Sequence, residues 1–242
     1  MTSTYAPVIL VVGVGPGLGM SVAQRFGKEG YAVALISRSA DRHADYLQAL
    51  DAADVEAAAF TADAADPVQL RAAVDAVRKH FGRIDVGYYG PAAMMSLAGD
   101  ITTLAAADAE SALREVVPAV DFASLLLPEF TERGDGGLLF AGGLSSVVPM
   151  PPLGGLALTS AALRNYAITL HAALQPKGIY AGTITIGGLM DRGDIYQAMQ
   201  ANPELFGSVD VATLNPDELA ETLWRLYTER TQAEAVVNAL AA

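Results

Sequence analysis

The 242-residue sequence predicts an α/β protein, a doubly wound parallel sheet of about seven strands with helices on both faces. Three observations carry that prediction. Short apolar runs alternate with longer amphipathic stretches along the chain, the rhythm of strand–helix–strand units. The runs are continuous rather than alternating, as strands covered on both faces require. The first run ends in closely spaced glycines and leads directly into a helical stretch.

Each element follows from local chemistry. Val8–Val12 is a buried strand because it is branched, apolar and closed by Gly13. A helix follows from Met20 to Lys28, with Gly30 as its stop. Ala32–Ile36 is the second strand, Asp41–Ala53 a helix with Asp41 as N-cap, and Ala57–Thr61 the third strand. Pro67 suits a first helical turn and opens a helix to His80. Ile84–Tyr88 is the fourth strand. Ala107–Phe130 is a long helical region that Pro118 and Pro128 must kink or shorten. Gly137–Ala141 is the fifth strand, Leu156–Leu174 a helix ended by Pro176 and Gly178, and Ile179–Ile186 the sixth strand. Gly187–Val211 has no strong period and reads as a mobile lid, with Gly187-Gly188 as a hinge and Asn202-Pro203 as a turn. Leu189, Met190, Ile195, Tyr196, Met199, Leu205 and Phe206 give it an apolar character. Pro216–Tyr227 is a further helix and Ala235–Asn238 a weak last strand. No internal repeat or linker divides the chain, so residues 1–242 read as one domain.

Composition removes whole classes of function. Against 15 Lys and Arg stand 27 Asp and Glu, a net charge of −12. An acidic surface repels nucleic-acid phosphates and anionic membranes alike. With 52% hydrophobic and 17% charged residues the chain has the material for a large core. The absence of cysteine excludes disulfides, thiolate metal sites and cysteine nucleophiles. Three histidines without metal-ligand spacing complete the expectation of no metal. The apolar run Val8–Val14 is too short for an anchor and has no preceding Lys or Arg, which points to a cytoplasmic protein.

Gly13, Gly15, Gly17 and Gly19 lie between the first strand and the first helix. Glycines there leave backbone N–H groups accessible to a phosphate, and the helix N-terminus adds positive partial charge. Pro16 stiffens the loop and removes one donor. On this loop the sequence resembles the short-chain dehydrogenase/reductase superfamily, whose coenzyme loop has the spacing Gly13-x3-Gly17-x-Gly19. Thr61-Ala-Asp63 followed by Asp66-Pro67, and Phe81–Asp85 before the fourth strand, extend the resemblance over essentially the whole chain. It implies a Rossmann-type fold, a small-molecule substrate, and a homodimer or homotetramer. It also implies coenzyme contacts from Gly13, Gly15, Gly17, Leu18, Gly19, Ser37, Arg38, Asp63, Ala64, Gly90 and Gly187. Of Asp63 and Asp66, either or both also suit helix capping ahead of Pro67. Ser37-Arg38 follows the second strand where a carboxylate would hold a free ribose diol, so Arg38 favours NADP(H) over NAD(H).

The resemblance fails at the catalytic positions. Most of the superfamily carries Tyr-x3-Lys on the helix after the fifth strand, where this sequence has Leu156 and Ser160. The superfamily's serine aligns near Gly143 or Leu144, with Ser145 and Ser146 just beyond as catalytic candidates or as turn formers. The Asn-Asn-Ala-Gly turn becomes Tyr89–Ala92, the helical Asn falls near Pro118, and Pro-Gly becomes Ile186-Gly187. Tyr166 is a packing residue. Strand alternation points Tyr88 and Tyr89 to opposite faces, and Tyr89 is the candidate proton donor, with aromatic packing as its other reading. These features describe an atypical NADP(H)-dependent oxidoreductase for a small, largely apolar organic substrate. The alternatives are a cyclase, isomerase or lyase on the same scaffold, or a non-enzymatic NADP(H)-sensing protein.

Overall fold

The computed structural model describes residues 6–91, 99–201 and 212–240. Its elements run β1 (Val8–Val12), α1 (Leu18–Gly27), β2 (Ala32–Ser37), α2 (His43–Asp51), β3 (Ala57–Thr61), α3 (Pro67–Phe81) and β4 (Val86–Tyr89). After these come α4 (Ala106–Arg114), α5 (Val117–Arg133), β5 (Gly136–Gly143), α6 (Gly154–Leu174) and β6 (Ile179–Gly187). The last described elements are β7 (Leu189–Met190), α7 (Asp194–Ala201), β8 (Thr213–Leu214), α8 (Pro216–Glu229) and β9 (Glu234–Asn238).

Seven strands form one parallel sheet in the order β3-β2-β1-β4-β5-β6-β9. The connections run outward in both directions from β1 and β4, and ligands of such sheets bind at the crevice this reversal opens at the carboxyl ends. Along β1, Ile9 and Val11 enter one apolar layer with Phe26, Tyr88, Leu139 and Leu223, beneath α1 and α8. Leu10 and Val12 enter the other with Leu70, Phe122, Leu126 and Ala167, beneath α3, α5 and α6. At the opposite edge Asp85 is buried and accepts from the Val8 amide at 2.8 Å, while Arg83 grips its carboxylate. That pairing explains the Arg-x-Asp lead-in to β4.

Four expectations need correction. Asp41 does not cap α2: the helix begins at His43, and the Asp41 amide donates to Ser39 Oγ at 3.1 Å. Ser37 Oγ lies 2.7 Å from His43 Nε2, so the loop after β2 is organised by its serines instead. The region 107–130 is two helices, α4 and α5, with Pro118 in the first turn of α5 and Pro128 tolerated inside it. The segment after β6 is more regular than its lack of period suggests. Leu189–Met190 pairs in parallel with Thr213–Leu214, and Asp194–Ala201 forms a helix too short to display periodicity. The fourth strand begins at Val86 rather than Ile84, which is buried but unpaired in the sheet. Residues 202–211, including Asn202, Pro203, Leu205, Phe206 and Val211, lie outside the described residues, as does Ala92.

Candidate active site

The glycine loop forms the floor of a cavity of about 650 Å³ at the carboxyl ends of β1, β2 and β4. Its volume falls within the range of roughly 300–1,000 Å³ usual for ligand sites. The four glycines do different work. Gly13 has φ +85°, and a Cβ there would stand 2.5 Å from the Pro91 backbone nitrogen. A Cβ on Gly19 would stand 2.8 Å from Val14 Cα, so Gly19 packs α1 against the loop. At Gly15 the space is open apart from Asp194 Oδ2 at 3.8 Å. Gly17 faces the Gly193 backbone at 3.2 Å.

Backbone donors are available where an anion would sit. The amides of Gly13 and Val14 donate to the Ile36 carbonyl, at 3.0 and 3.1 Å. Those of Gly15, Gly17, Leu18 and Gly19 donate to no acceptor among the described residues. A cradle of unpaired N–H groups at a helix N-terminus fits a dinucleotide's phosphates.

The cavity wall brings together Gly13, Gly15, Gly17, Leu18, Gly19, Ser37, Arg38, Asp63, Ala64 and Gly90. Arg38 is exposed and has no ion pair among the described residues. Asp63 Oδ1 accepts from the Ala65 amide at 3.0 Å, and its residue lines the cavity. Asp66 instead caps α3, accepting from the Val68 and Gln69 amides at 2.9 and 3.2 Å. The Gln69 side-chain amide, donating at 2.8 Å, and these two backbone bonds hold its carboxyl below the usual range. The neighbouring aspartates thus divide the two roles between them. Gly187 does not line the cavity: a Cβ there would meet Leu144 and Asn238, and its carbonyl accepts from Ala239 at 2.8 Å. Gly188 lines the wall in its place.

The catalytic candidates are more scattered. Ser146 Oγ donates to the Gly143 carbonyl at 2.8 Å, closing a short turn, and neither Ser145 nor Ser146 lines the cavity. A Cβ on Gly143 would lie 3.1 Å from Ser160 Oγ and 3.7 Å from Ser145 Oγ. Gly143, Ser160 and Ser145 therefore cluster together, a juxtaposition that linear spacing did not disclose. Tyr89 is 7% exposed and packs on Phe122 with ring centroids 5.6 Å apart. Burial raises its hydroxyl pKa, and Glu115, Asp63 and Asp121 add to the rise, so it stays neutral. Tyr89 lines the cavity together with Asp63 and Glu115. Tyr88 belongs to the opposite layer, buried, with its hydroxyl filling the space that a Gly90 side chain would need. Tyr166 packs edge-on against Phe140 at 6.0 Å.

Reading the sequence missed Arg42, Glu115 and Asp194, all of which line the cavity. Arg42 and Asp194 both line the cavity and pair at 2.7 Å across 152 positions of sequence. Among the described residues no group of three or more His, Cys, Asp or Glu could hold a metal ion. No described helix is long and apolar enough to cross a membrane.

The family model for short chain dehydrogenases matches residues 7–211 of this chain. The chain belongs to the short-chain dehydrogenase/reductase family. The ketoacyl reductase HetN of Nostoc sp. is 25% identical over 239 residues, covering 98% of this chain and 80% of that protein. A dehydrogenase/reductase family protein 7-like from Drosophila melanogaster is 24% identical, covering 89% and 68%. Among solved structures, levodione reductase superposes with a TM-score of 0.81 at 21% identity, covering 98% and 97%. A short-chain oxidoreductase of Pseudomonas aeruginosa, described as containing an atypical catalytic center, reaches 0.81 at 18% identity, covering 97% of each chain. L-sorbose reductase from Gluconobacter frateurii, complexed with NADPH and L-sorbose, gives 0.79 at 24%, covering 97% and 95%. At these identities the structures establish the shared fold. In short-chain dehydrogenase/reductase terms, the chain has the fold of an oxidoreductase family that uses a nicotinamide cofactor.

Proposed function

We propose that this chain is an NADP(H)-dependent oxidoreductase that acts on a small, largely apolar substrate without the family's Tyr/Lys acid–base pair. The observation that carries the proposal is the unpaired amide cradle opening onto the same cavity as Arg38, which stands free at the end of β2. Bound NADP(H) supplies or accepts the hydride. The loop amides and α1 N-terminus hold phosphate charge, and Arg38 offers a charge-assisted pair to a 2′-phosphate. Asp63 accepts hydrogen bonds at the adenosine end. Leu189, Met190 and Ile195 give the wall its apolar surface. Leu156 has no proton to transfer and Ser160 no charge to tune a donor, so substrates that accept hydride without strong proton assistance suit the site best. The ketoacyl reductase relative makes a ketoacyl compound the first carbonyl substrate to compare with them.

Fluorescence titration tests the cofactor reading. NADPH should bind more tightly than NADH, and Arg38→Ala should narrow the difference by about tenfold or more. The deleted pair is worth roughly 1.5–3 kcal/mol, and about 1.4 kcal/mol is one decade. Equal NADPH and NADH affinities in the native protein would sink the reading.

A further inference from the structure

Two ion pairs draw the segment after β7 onto the cofactor cavity. Arg42, at the N-terminal edge of α2, holds Asp194, the first residue of α7, at 2.7 Å. Arg192, with φ +65°, reaches Asp217 at 2.8 Å and Ser21 Oγ at 3.3 Å, joining the segment to α8 and α1. Between these ties, Gly193 Cα stands 3.2 Å from the space above Gly17, and the other Asp194 oxygen stands 3.8 Å from the space above Gly15. A carboxylate thus overlooks a cradle built for anions and is matched to a cation on the same wall as Arg38.

We infer that Asp194 is an internal competitor for the cofactor's 2′-phosphate, occupying Arg42 until that phosphate takes the guanidinium from it. The inference rests on the NADP(H) reading above and adds Arg42 as a second cation for the same group. Two anions and one guanidinium define the exchange. The Arg42–Asp194 pair is half exposed on both sides and therefore weak. A phosphate near −2 charge, already paired to Arg38, is the stronger partner. A nucleotide with a free 2′-hydroxyl cannot make the exchange, so Arg42 stays with Asp194 and the start of α7 stays tied to α2. Exchange also frees the start of α7, linking the identity of the nucleotide to the segment that borders the substrate space.

Asp194→Asn removes the competitor and leaves the shape of the site intact. The ratio of NADH to NADPH dissociation constants should rise by about two- to fivefold, the range of an exposed pair. The same substitution in an Arg42→Ala background should leave the ratio unaltered. A ratio unmoved or lowered by Asp194→Asn, or moved equally in both backgrounds, overturns the inference. A second measurement does not rely on a variant. Adenosine 2′,5′-bisphosphate should speed amide hydrogen exchange in residues 194–201, and 5′-AMP should not, the 2′-phosphate being the only difference. Equal exchange with the two fragments also overturns it. If the native protein prefers NADPH, Arg38→Ala reduces that preference and Asp194→Asn does nothing, this inference alone falls. If the native protein shows no preference, the cofactor reading falls with it.

Discussion

At the scale of single residues, the glycine loop separates folding from binding. Gly13 meets two constraints at once, a left-handed φ of +85° and the Pro91 backbone 2.5 Å from where a Cβ would be. Neither partner has a flexible side chain that can yield. Gly13→Ala should therefore cost at least about 2 kcal/mol, from the conformational penalty and overpacking together. Gly15 lacks a left-handed φ, and a Cβ there would meet only Asp194 Oδ2 at 3.8 Å, so Gly15→Ala should fold normally and bind NADPH more weakly. Thermal melting and nucleotide titration of both variants check the contrast, and a Gly15→Ala protein with native affinity would contradict the assignment of the cradle. The glycines were legible in the sequence because a strand, a glycine loop and a helix are consecutive. Arg42 with Asp194, and Gly143 with Ser160, were not, because only the folded sheet makes them neighbours.

Among the elements, β9 shows how a weak sequence signal is rescued by tertiary partners. Its residues are only partly buried, and it pairs with β6 alone at the sheet edge. Glu234 ties it down, accepting from Arg164 of α6 at 2.7 and 2.5 Å and from Thr185 Oγ1 of β6 at 2.6 Å. The Arg164 and Thr185 bonds hold the Glu234 carboxyl below its usual pKa against the opposing effect of burial. The folded pKa is thus below the unfolded value near 4.3, so this stabilisation is complete above the unfolded value. It is lost as pH falls through the depressed folded pKa. Glu234→Gln should lower stability by about 1.5–3 kcal/mol at pH 7. Denaturant melts should show the difference from the native protein shrinking progressively as pH falls below about 4.5. A gap independent of pH would mean that Glu234 acts through shape rather than charge. The same comparison explains what was readable at this scale. Continuous apolar strands and proline-opened helices declare themselves locally, as Val8–Val12 and Pro67–Phe81 do. The start of α2 and the break between α4 and α5 depend on loop serines and packing. Those carry no period to read.

Over the whole molecule, the sheet divides the family's task along its width. The β1–β3 half presents the loop amides, Arg38 and Asp63 to one cavity, while the family's acid–base positions fall on β5 and α6. On the proposed alignment Leu156 and Ser160 stand there in place of the tyrosine and lysine, and Gly143 lies 3.1 Å, measured from its Cβ position, from Ser160 Oγ. Reduction of an unactivated ketone needs a proton delivered to the developing alkoxide, and general acid catalysis is worth about 10²–10⁴-fold. Ser146 spends its proton on the Gly143 carbonyl, and Tyr89, raised in pKa by burial and three carboxylates, is a reluctant donor. The protein should therefore bind NADPH yet turn over simple ketones weakly, which steady-state absorbance of the reduced nicotinamide would register. Leu156→Tyr alone should add little, because without a neighbouring cation the phenol stays untuned. Leu156→Tyr with Ser160→Lys should add more than the sum of the two single changes, since residues acting as a unit are non-additive. Robust native turnover abolished by Tyr89→Phe or Ser146→Ala would instead reveal a relocated donor and refute the loss of one.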